Sequence, residues 1–373
     1  MPLRIGVNAL YLIPGGVGGT EIYLRSLLAA LAEIDRHNHY FVFTNRETGS
    51  GLVPAQANFT HVPQAVRAVN RPARILWEQT VLPLAAVRRR LDVLFNPGFT
   101  APILCGCPQV TVFHDLQHKR HPEYFRWFDL PSWNFFLFWS ITVSRLIVAV
   151  SGATADDLRR WYRLPPAKIR TVLSGVDPRF FDLASHRRPE PFLLAVSTLH
   201  PHKNLDGLLR AFAVFAQRHA EYRLIVCGMH GFFSAELHAL RDRLQLGGRV
   251  EFPGWIPREQ LYDLYARAGA FLYPSLFEGF GLPVLEALAA GVPTACSAIE
   301  PMNGIAGTAA LKFDPRDPSA IAEVMHRLVT DAELRQRLAA AGPLRAAQFS
   351  WRTTAEGVLD ALRSAGAPLG TDT

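Results

Sequence analysis

The chain is predicted to be an α/β protein built as two Rossmann-like domains, each around a parallel sheet, and three observations carry that expectation. Short apolar runs alternate with amphipathic stretches throughout, the pattern of parallel strands covered by helices on both faces. The length, 373 residues, exceeds one ordinary core and suits two of similar size. Near the middle, a polar stretch at 182–190 with two arginines and a proline breaks the alternation and reads as the linker. Hydrophobic residues make up 49% and charged residues 19%, enough apolar material for packed cores, which excludes intrinsic disorder.

In the first half the apolar runs predict strands at 4–9, 40–44, 92–96, 109–113, 146–150 and 169–173. A helix over 20–32 places Leu24, Leu27, Leu28 and Leu31 on one face, with Thr20 as its cap. The second series predicts strands at 192–196, 222–227, 250–252, 270–273 and 293–295. The expected domains are 1–181 and 190–348, with 349–373 a terminal helix returning to the first domain.

Composition narrows the function classes. Cys105, Cys107, Cys227 and Cys296 match neither a zinc spacing nor a disulfide framework, which favours a reducing cytoplasm. The N-terminal residues enter a strand directly and lack the regions of a signal peptide. The best membrane-span candidate, 133–150, is interrupted by Arg145 and ends in a strand, so no transmembrane helix is expected. The net charge is +7, with Arg67, Arg71, Arg74, Arg88, Arg89 and Arg90 in one N-terminal stretch, which suits an anionic partner or a solvated face equally. The aromatic stretch at 124–139 reads first as core and second as an acceptor-lipid or membrane-surface contact.

Open parallel sheets bind ligands beyond the carboxyl ends of their strands. After the first strand comes Gly15-Gly16-Val17-Gly18-Gly19 and then a helix, a loop that brings backbone N–H groups to a phosphate. It is not the G-x-G-x-x-G dinucleotide pattern, and Asn45-Arg46 stands where the acidic residue of an NAD site belongs. The richest passage runs from Tyr273 to Thr294: strand, glycine-punctuated loop, helix and strand. Pro283 suits a first helical turn and Gly291 the position just past a helix end, which sets the helix at 283–290. Glu278 then lies in the loop and Glu286 one turn into the helix, too far apart to touch, each able to accept a hydrogen bond from a sugar or ribose hydroxyl. Gly279, Phe280, Gly281 and Leu282 offer N–H groups to a diphosphate at the helix N-terminus, with Phe280 more a packing residue than a sugar platform.

Glu278 and Glu286, with seven residues between them, resemble the Glu-seven-Glu motif of family 4 glycosyltransferases, which have the GT-B fold. Supporting fragments follow in the family's order along nearly the whole chain: Trp77-Glu-Gln-Thr-Val-Leu-Pro, Val112-Phe-His-Asp-Leu, Val150-Ser, Val172-Leu-Ser-Gly-Val-Asp177, Pro201-His-Lys-Asn204, Cys227-Gly228, Gly254-Trp-Ile-Pro257 and Phe349-Ser-Trp351. The W-E-Q, H-D-L and K-N fragments resemble enzymes of bacterial surface-polysaccharide assembly, mannosyl- or glucosyltransferases among them.

The resemblance implies two domains facing a cleft and a retaining transfer of a hexose from a nucleotide-sugar, GDP-mannose or UDP-glucose in type, to a glycan or polyprenyl-linked acceptor. It gives Glu278 the hydroxyls of the transferred sugar, Glu286 the nucleotide ribose and Lys203 the donor's diphosphate, with Ser197 and His202 lining the donor site. It places His114 against the transferred sugar from the acceptor side, with Asp115 shaping that wall, and lets Gly15 and Gly16 complete the diphosphate site. The family's usual arginine shortly before the lysine is missing from Ser197-Thr-Leu-His-Pro-His202, so His200, His202, Arg25 or Arg145 is expected to supply that contact. No D-x-D pair stands at a strand end, and no obligatory metal or other cofactor is expected. Nucleic acid is not an expected partner; peripheral contact with the inner face of an anionic membrane is. The rivals are a non-catalytic subunit keeping the donor fold and a nucleotide-sugar epimerase; a glycosidase would need facing carboxylates about 5 Å apart.

Overall fold

A computed structural model describes residues 2–367. Two parallel sheets organise it. The first joins β1 (Arg4–Ala9), β2 (His39–Thr44), β3 (Phe59–Pro63), β4 (Val93–Asn96), β5 (Gln109–Phe113), β6 (Leu146–Ala149) and β7 (Ile169–Thr171) in the order β3-β2-β1-β4-β5-β6-β7. The second joins β8 (Phe192–Val196), β9 (Arg223–Cys227), β10 (Val250–Gly254), β11 (Ala270–Tyr273), β12 (Thr294–Ser297) and β13 (Leu311–Phe313) in the order β10-β9-β8-β11-β12-β13. Central strands are buried on both faces: β1, β4, β5 and β11 have almost no exposed side chain, as expected where helices cover each side.

β3 and β13 were not anticipated, and the reason is physical. Both are edge strands, three to five residues long, with mixed polar and apolar side chains, so neither presents a continuous apolar run.

Among the described residues, 2–175 together with 351–367 make up one compact unit, and Val176–Ser350 form the other. The stretch predicted as a linker, 182–190, lies inside the second unit. Residues Arg179–Ala184 are helical, Arg187 donates to the carbonyls of Tyr265 and Ala268, and Arg267 pairs with Glu190 at 2.8 Å. Its polarity marks a strap fastened to the surface rather than a joint. In the first unit the Trp351–Gly366 helix packs on the Gly19–Ile34 helix, with the rings of Trp351 and Tyr23 edge to face at 5.8 Å. Residues 368–373 of the predicted terminal segment lie outside the described residues.

The Gly19–Ile34 helix buries Leu24, Leu27, Leu28 and Leu31 completely. Thr20 does not cap it. The helix begins one residue earlier, its N-cap is Gly18, and the Thr20 hydroxyl donates back to the Val17 carbonyl at 2.9 Å. The aromatic stretch is only partly core: Trp127, Phe128, Phe135 and Phe138 are half or more exposed, while Leu137 and Ile141 on the inner face of the Leu130–Val143 helix are buried. Among the described residues no helix is long and apolar enough to cross a membrane.

In each sheet the strand order reverses once, between β1 and β4 and between β8 and β11. Connections depart from these neighbours in opposite directions, which leaves a crevice beyond their carboxyl ends where α/β sheets hold ligands.

Candidate active site

At the reversal point of the second sheet, two loops are laced together. The loop after β8 tightens into a single turn at Pro201–Lys203, and Asn204 adopts a left-handed conformation there. The Asn204 amide donates to the carbonyls of Pro274 and Pro315 at 3.1 and 2.6 Å, and the Leu276 N–H reaches the His202 carbonyl at 2.8 Å. These bonds fix the K-N pair against the loop after β11.

The lacing brings Lys203 to Glu278. Lys203 Nζ lies 2.6 Å from Glu278 Oε1 and 3.4 Å from the Tyr273 hydroxyl, with 13% and 9% of the Lys203 and Glu278 side chains exposed. Charges this far from bulk water interact strongly and are costly to separate. The pair is poised for exchange: a diphosphate could take over the ammonium while sugar hydroxyls donate to the carboxylate.

Beyond Glu278 the chain turns into the helix Leu282–Ala289, one residue earlier than predicted. Gly281 caps it at φ +108°, and a Cβ there would sit 2.3 Å from Met302 Cε. Pro283 lies in the first turn, and Gly291 beyond the end has φ +63°. Phe280 is buried with its ring edge-on to Phe349, so it packs. The Ser197 hydroxyl, just past β8, is buried without a hydrogen-bond partner.

Glu286 is not an open carboxylate. It is 4% exposed; Oε1 faces Arg258 Nη1 at 3.2 Å and Oε2 accepts from the Tyr265 hydroxyl at 3.1 Å. Arg258 also reaches Asp177 Oδ2 at 3.4 Å, and the Tyr262 hydroxyl donates to that same oxygen. Burial pushes the Glu286 carboxyl up, and the Arg258 guanidinium pulls it back. Sequence reasoning passed over Arg258, although it directly follows the quoted Gly254-Trp-Ile-Pro257 fragment: no spacing links a residue on one helix to a carboxylate on the next.

The expected stand-ins for the missing arginine sit differently. His202 is buried, and its ring lies 5.8 Å from that of His200. Burial and the neighbouring Lys203 both hold the His200 pKa below its ordinary value, so that ring is neutral near pH 7 and contributes no charge. In the first unit Arg25 pairs with Glu21 at 2.8 Å, and Arg145 donates to the carbonyls of Ala365 and Ala367 at 2.9 Å.

Also in the first unit, His114 follows β5. Its Nε2 donates to the Pro97 carbonyl at 2.8 Å, which leaves the lone pair of the neutral ring on Nδ1. Tyr23 and Phe99 meet the ring edge to face at 4.9 and 5.2 Å. Burial pushes its pKa down to about 4. Asp115 caps the next turn, accepting from the Gln117 N–H at 3.0 Å. Gly15 and Gly16 are exposed, but their amides are engaged: Gly15 N–H donates to Glu21 Oε2 at 2.7 Å and Gly16 N–H to the Ile13 carbonyl at 2.8 Å. Glu21 thus occupies the anion position predicted for a phosphate. Among the described residues no group of three or more His, Cys, Asp or Glu is placed to hold a metal ion.

This arrangement has counterparts in known proteins. Residues 17–180 match the model of Glycosyltransferase Family 4, and residues 179–345 that of Glycosyl transferases group 1. The chain is 31% identical to the O-antigen chain mannosyltransferase B of Escherichia coli over 290 residues, 74% of this chain and 76% of that protein. Sucrose-phosphate synthase from Thermosynechococcus elongatus superposes with a TM-score of 0.80 at 20% identity, covering 97% of this chain and 98% of that one. HepE of Anabaena, solved with UDP and glucose, superposes with a TM-score of 0.73 at 18% identity, covering 97% and 100%. The chain belongs to glycosyltransferase family 4 and is a glycosyltransferase of the GT-B fold.

Proposed function

We propose that the protein is a retaining hexosyltransferase that moves a mannose- or glucose-type hexose from a GDP- or UDP-sugar to a glycan or polyprenyl-linked acceptor in polysaccharide or glycolipid biosynthesis. The observation that carries the donor half of this reading is the Lys203–Glu278 pair at the reversal point of the second sheet, beside a helix N-terminus. The mannosyltransferase relative and the neighbour holding UDP and glucose support a nucleotide-linked hexose.

In this reading Lys203 and the N–H groups of residues 279–282 meet the diphosphate, Ser197 and His202 line it, Glu278 accepts from hexose hydroxyls, and Glu286 accepts from a ribose hydroxyl once its contacts to Arg258 and Tyr265 loosen. In the first unit, Gly15 and Gly16 are assigned to a phosphate, for which displacement of Glu21 frees the Gly15 N–H. His114, neutral at working pH, is assigned to the acceptor side. The acceptor oxygen bonds to the anomeric carbon on the face from which the phosphate departs, and the proton passes to the leaving phosphate oxygen. Lys203 stabilises the charge that grows on that phosphate, so no metal ion is required.

The location proposed is cytoplasmic, with peripheral contact to an anionic membrane, supported by the exposed Trp127, Phe128, Phe135 and Phe138 in a basic chain. Co-sedimentation with anionic but not zwitterionic vesicles is the expected result.

Incubation with GDP-mannose or UDP-glucose and acceptor glycans, read by proton NMR of the anomeric signal, tests the reaction. Acceptor-dependent product with the donor's anomeric configuration is expected. Inversion, or conversion of the donor without acceptor, overturns the reading.

A further inference from the structure

The first sheet also reverses once, between β1 and β4, and a cavity of about 180 Å³ lies beyond the carboxyl ends of those two strands. Tyr11 follows β1, and Gly98 and Phe99 follow β4; all three line it. Gly98 is required there, because a Cβ would stand 2.3 Å from Tyr11 Cδ1. Phe99 is shared with the His114 surroundings, its ring 5.2 Å from the imidazole, so the cavity adjoins the residue assigned to the acceptor side of the hexose. Its volume is below the roughly 300 Å³ of sites for drug-sized ligands, which suits one small group rather than an extended glycan.

Arg71 and Arg74, one turn apart on the Arg71–Arg88 helix, both line this space. Arg71 lies over the Trp133 ring at 4.9 Å, and its nearest carboxylate, Asp129, is 3.8 Å away. Arg74 Nε is buried with no hydrogen-bond partner, and among the described residues Arg74 makes no ion pair within 4 Å. Glu78, one turn further, is 1% exposed with its Oε1 unpartnered; it makes no ion pair with Arg74 within 4 Å and acts on it through space as a counter-charge. An aromatic wall with two such forks, one holding an orphan N–H, is matched by a ring that carries an anion.

We infer that this cavity seats the acceptor and that the acceptor presents an anionic sugar there, with a phosphate or carboxylate on Arg71 and Arg74 and its ring against Trp133. The inference rests on the transferase reading and adds the chemical class of the acceptor.

Calorimetric titration of the full chain with a hexose 1-phosphate, glucuronate and a neutral methyl hexoside tests it. Either anionic sugar should bind at least about tenfold more tightly than the methyl hexoside, and the better one identifies phosphate or carboxylate. Arg74→Met should remove the preference. Arg71→Met, a change at a half-exposed side chain, should weaken it while the melting temperature stays near that of the parent. Equal affinity for the neutral sugar, no anionic binding at millimolar concentration, or a preference lost in Lys203→Ala but kept in Arg74→Met would each overturn the inference. GDP and UDP titrations of the same preparations read the donor site separately, so failure of the donor reading stays distinguishable.

Discussion

Lys203 and Glu278, 75 residues apart in the chain, meet at 2.6 Å because β8 and β11 are neighbours and both loops leave the same edge of the sheet. Neither residue's own segment dictates the contact; parallel pairing of Ala270 with Leu193 and Phe271 with Leu194 does. The pair is a preformed charge site, which in the proposed function a nucleotide-sugar opens.

Lys203→Ala and Glu278→Ala should each lower the transfer rate by about 10²-fold or more, the scale of losing one charge-stabilising group at a reacting centre. The double variant Lys203→Met/Glu278→Gln should melt closer to the parent than either single change, since each single change strands a largely buried charge. Initial rates and thermal melts of the three variants check this.

Arg258→Met should destabilise the fold by about 1–3 kcal/mol, because Glu286 and Asp177 lose their shared cation in a buried setting. The sign with pH follows from Glu286. Its raised pKa means the folded state keeps the proton longer than the unfolded chain, so its contribution turns less favourable as pH rises past the ordinary carboxylate range. Without Arg258 that pKa rises further, and the gap between variant and parent should widen from pH 5 to pH 7 in denaturant melts.

His114 acts in the opposite direction. Its folded pKa of about 4 lies below the ordinary 6.5, so between those values the unfolded chain binds more protons and stability increases with pH. His114→Gln should flatten the slope by up to about 1.4 kcal/mol per pH unit in that window. His118, also pushed to about 4 by burial, retains its own share, so the readout is the difference between variant and parent.

Chelation should leave the rate unchanged. In the proposed function Lys203 and the Leu282–Ala289 N-terminus carry the charge stabilisation, so transfer measured after EDTA treatment should match the untreated enzyme, and restoration by added magnesium or manganese would contradict this.

Much of this architecture was legible in the sequence because buried parallel strands are written as unbroken apolar runs, as at β1, β5, β8 and β11. The edge strands β3 and β13, short and interrupted by polar residues, were not. Glu278 and the glycine-capped helix stood out through local spacing and turn chemistry, and Lys203 through the family resemblance. What a linear reading could not supply was pairing across elements: that Lys203 closes on Glu278, that Arg258 and Tyr265 enclose Glu286, and that Glu21 folds back onto Gly15. Thr20 was misplaced for a related reason, since a helix that starts on a glycine needs no side-chain cap to be in register with its core leucines.

The most direct measurement is equilibrium titration of the parent and of Lys203→Ala with GDP, UDP, ADP and their hexose conjugates. One nucleotide-hexose should bind the parent selectively and raise its melting temperature, and the variant should lose at least about tenfold in affinity, as expected when a charge-assisted contact is removed. Undiminished binding by Lys203→Ala would contradict the assignment of the donor site to the loops after β8 and β11.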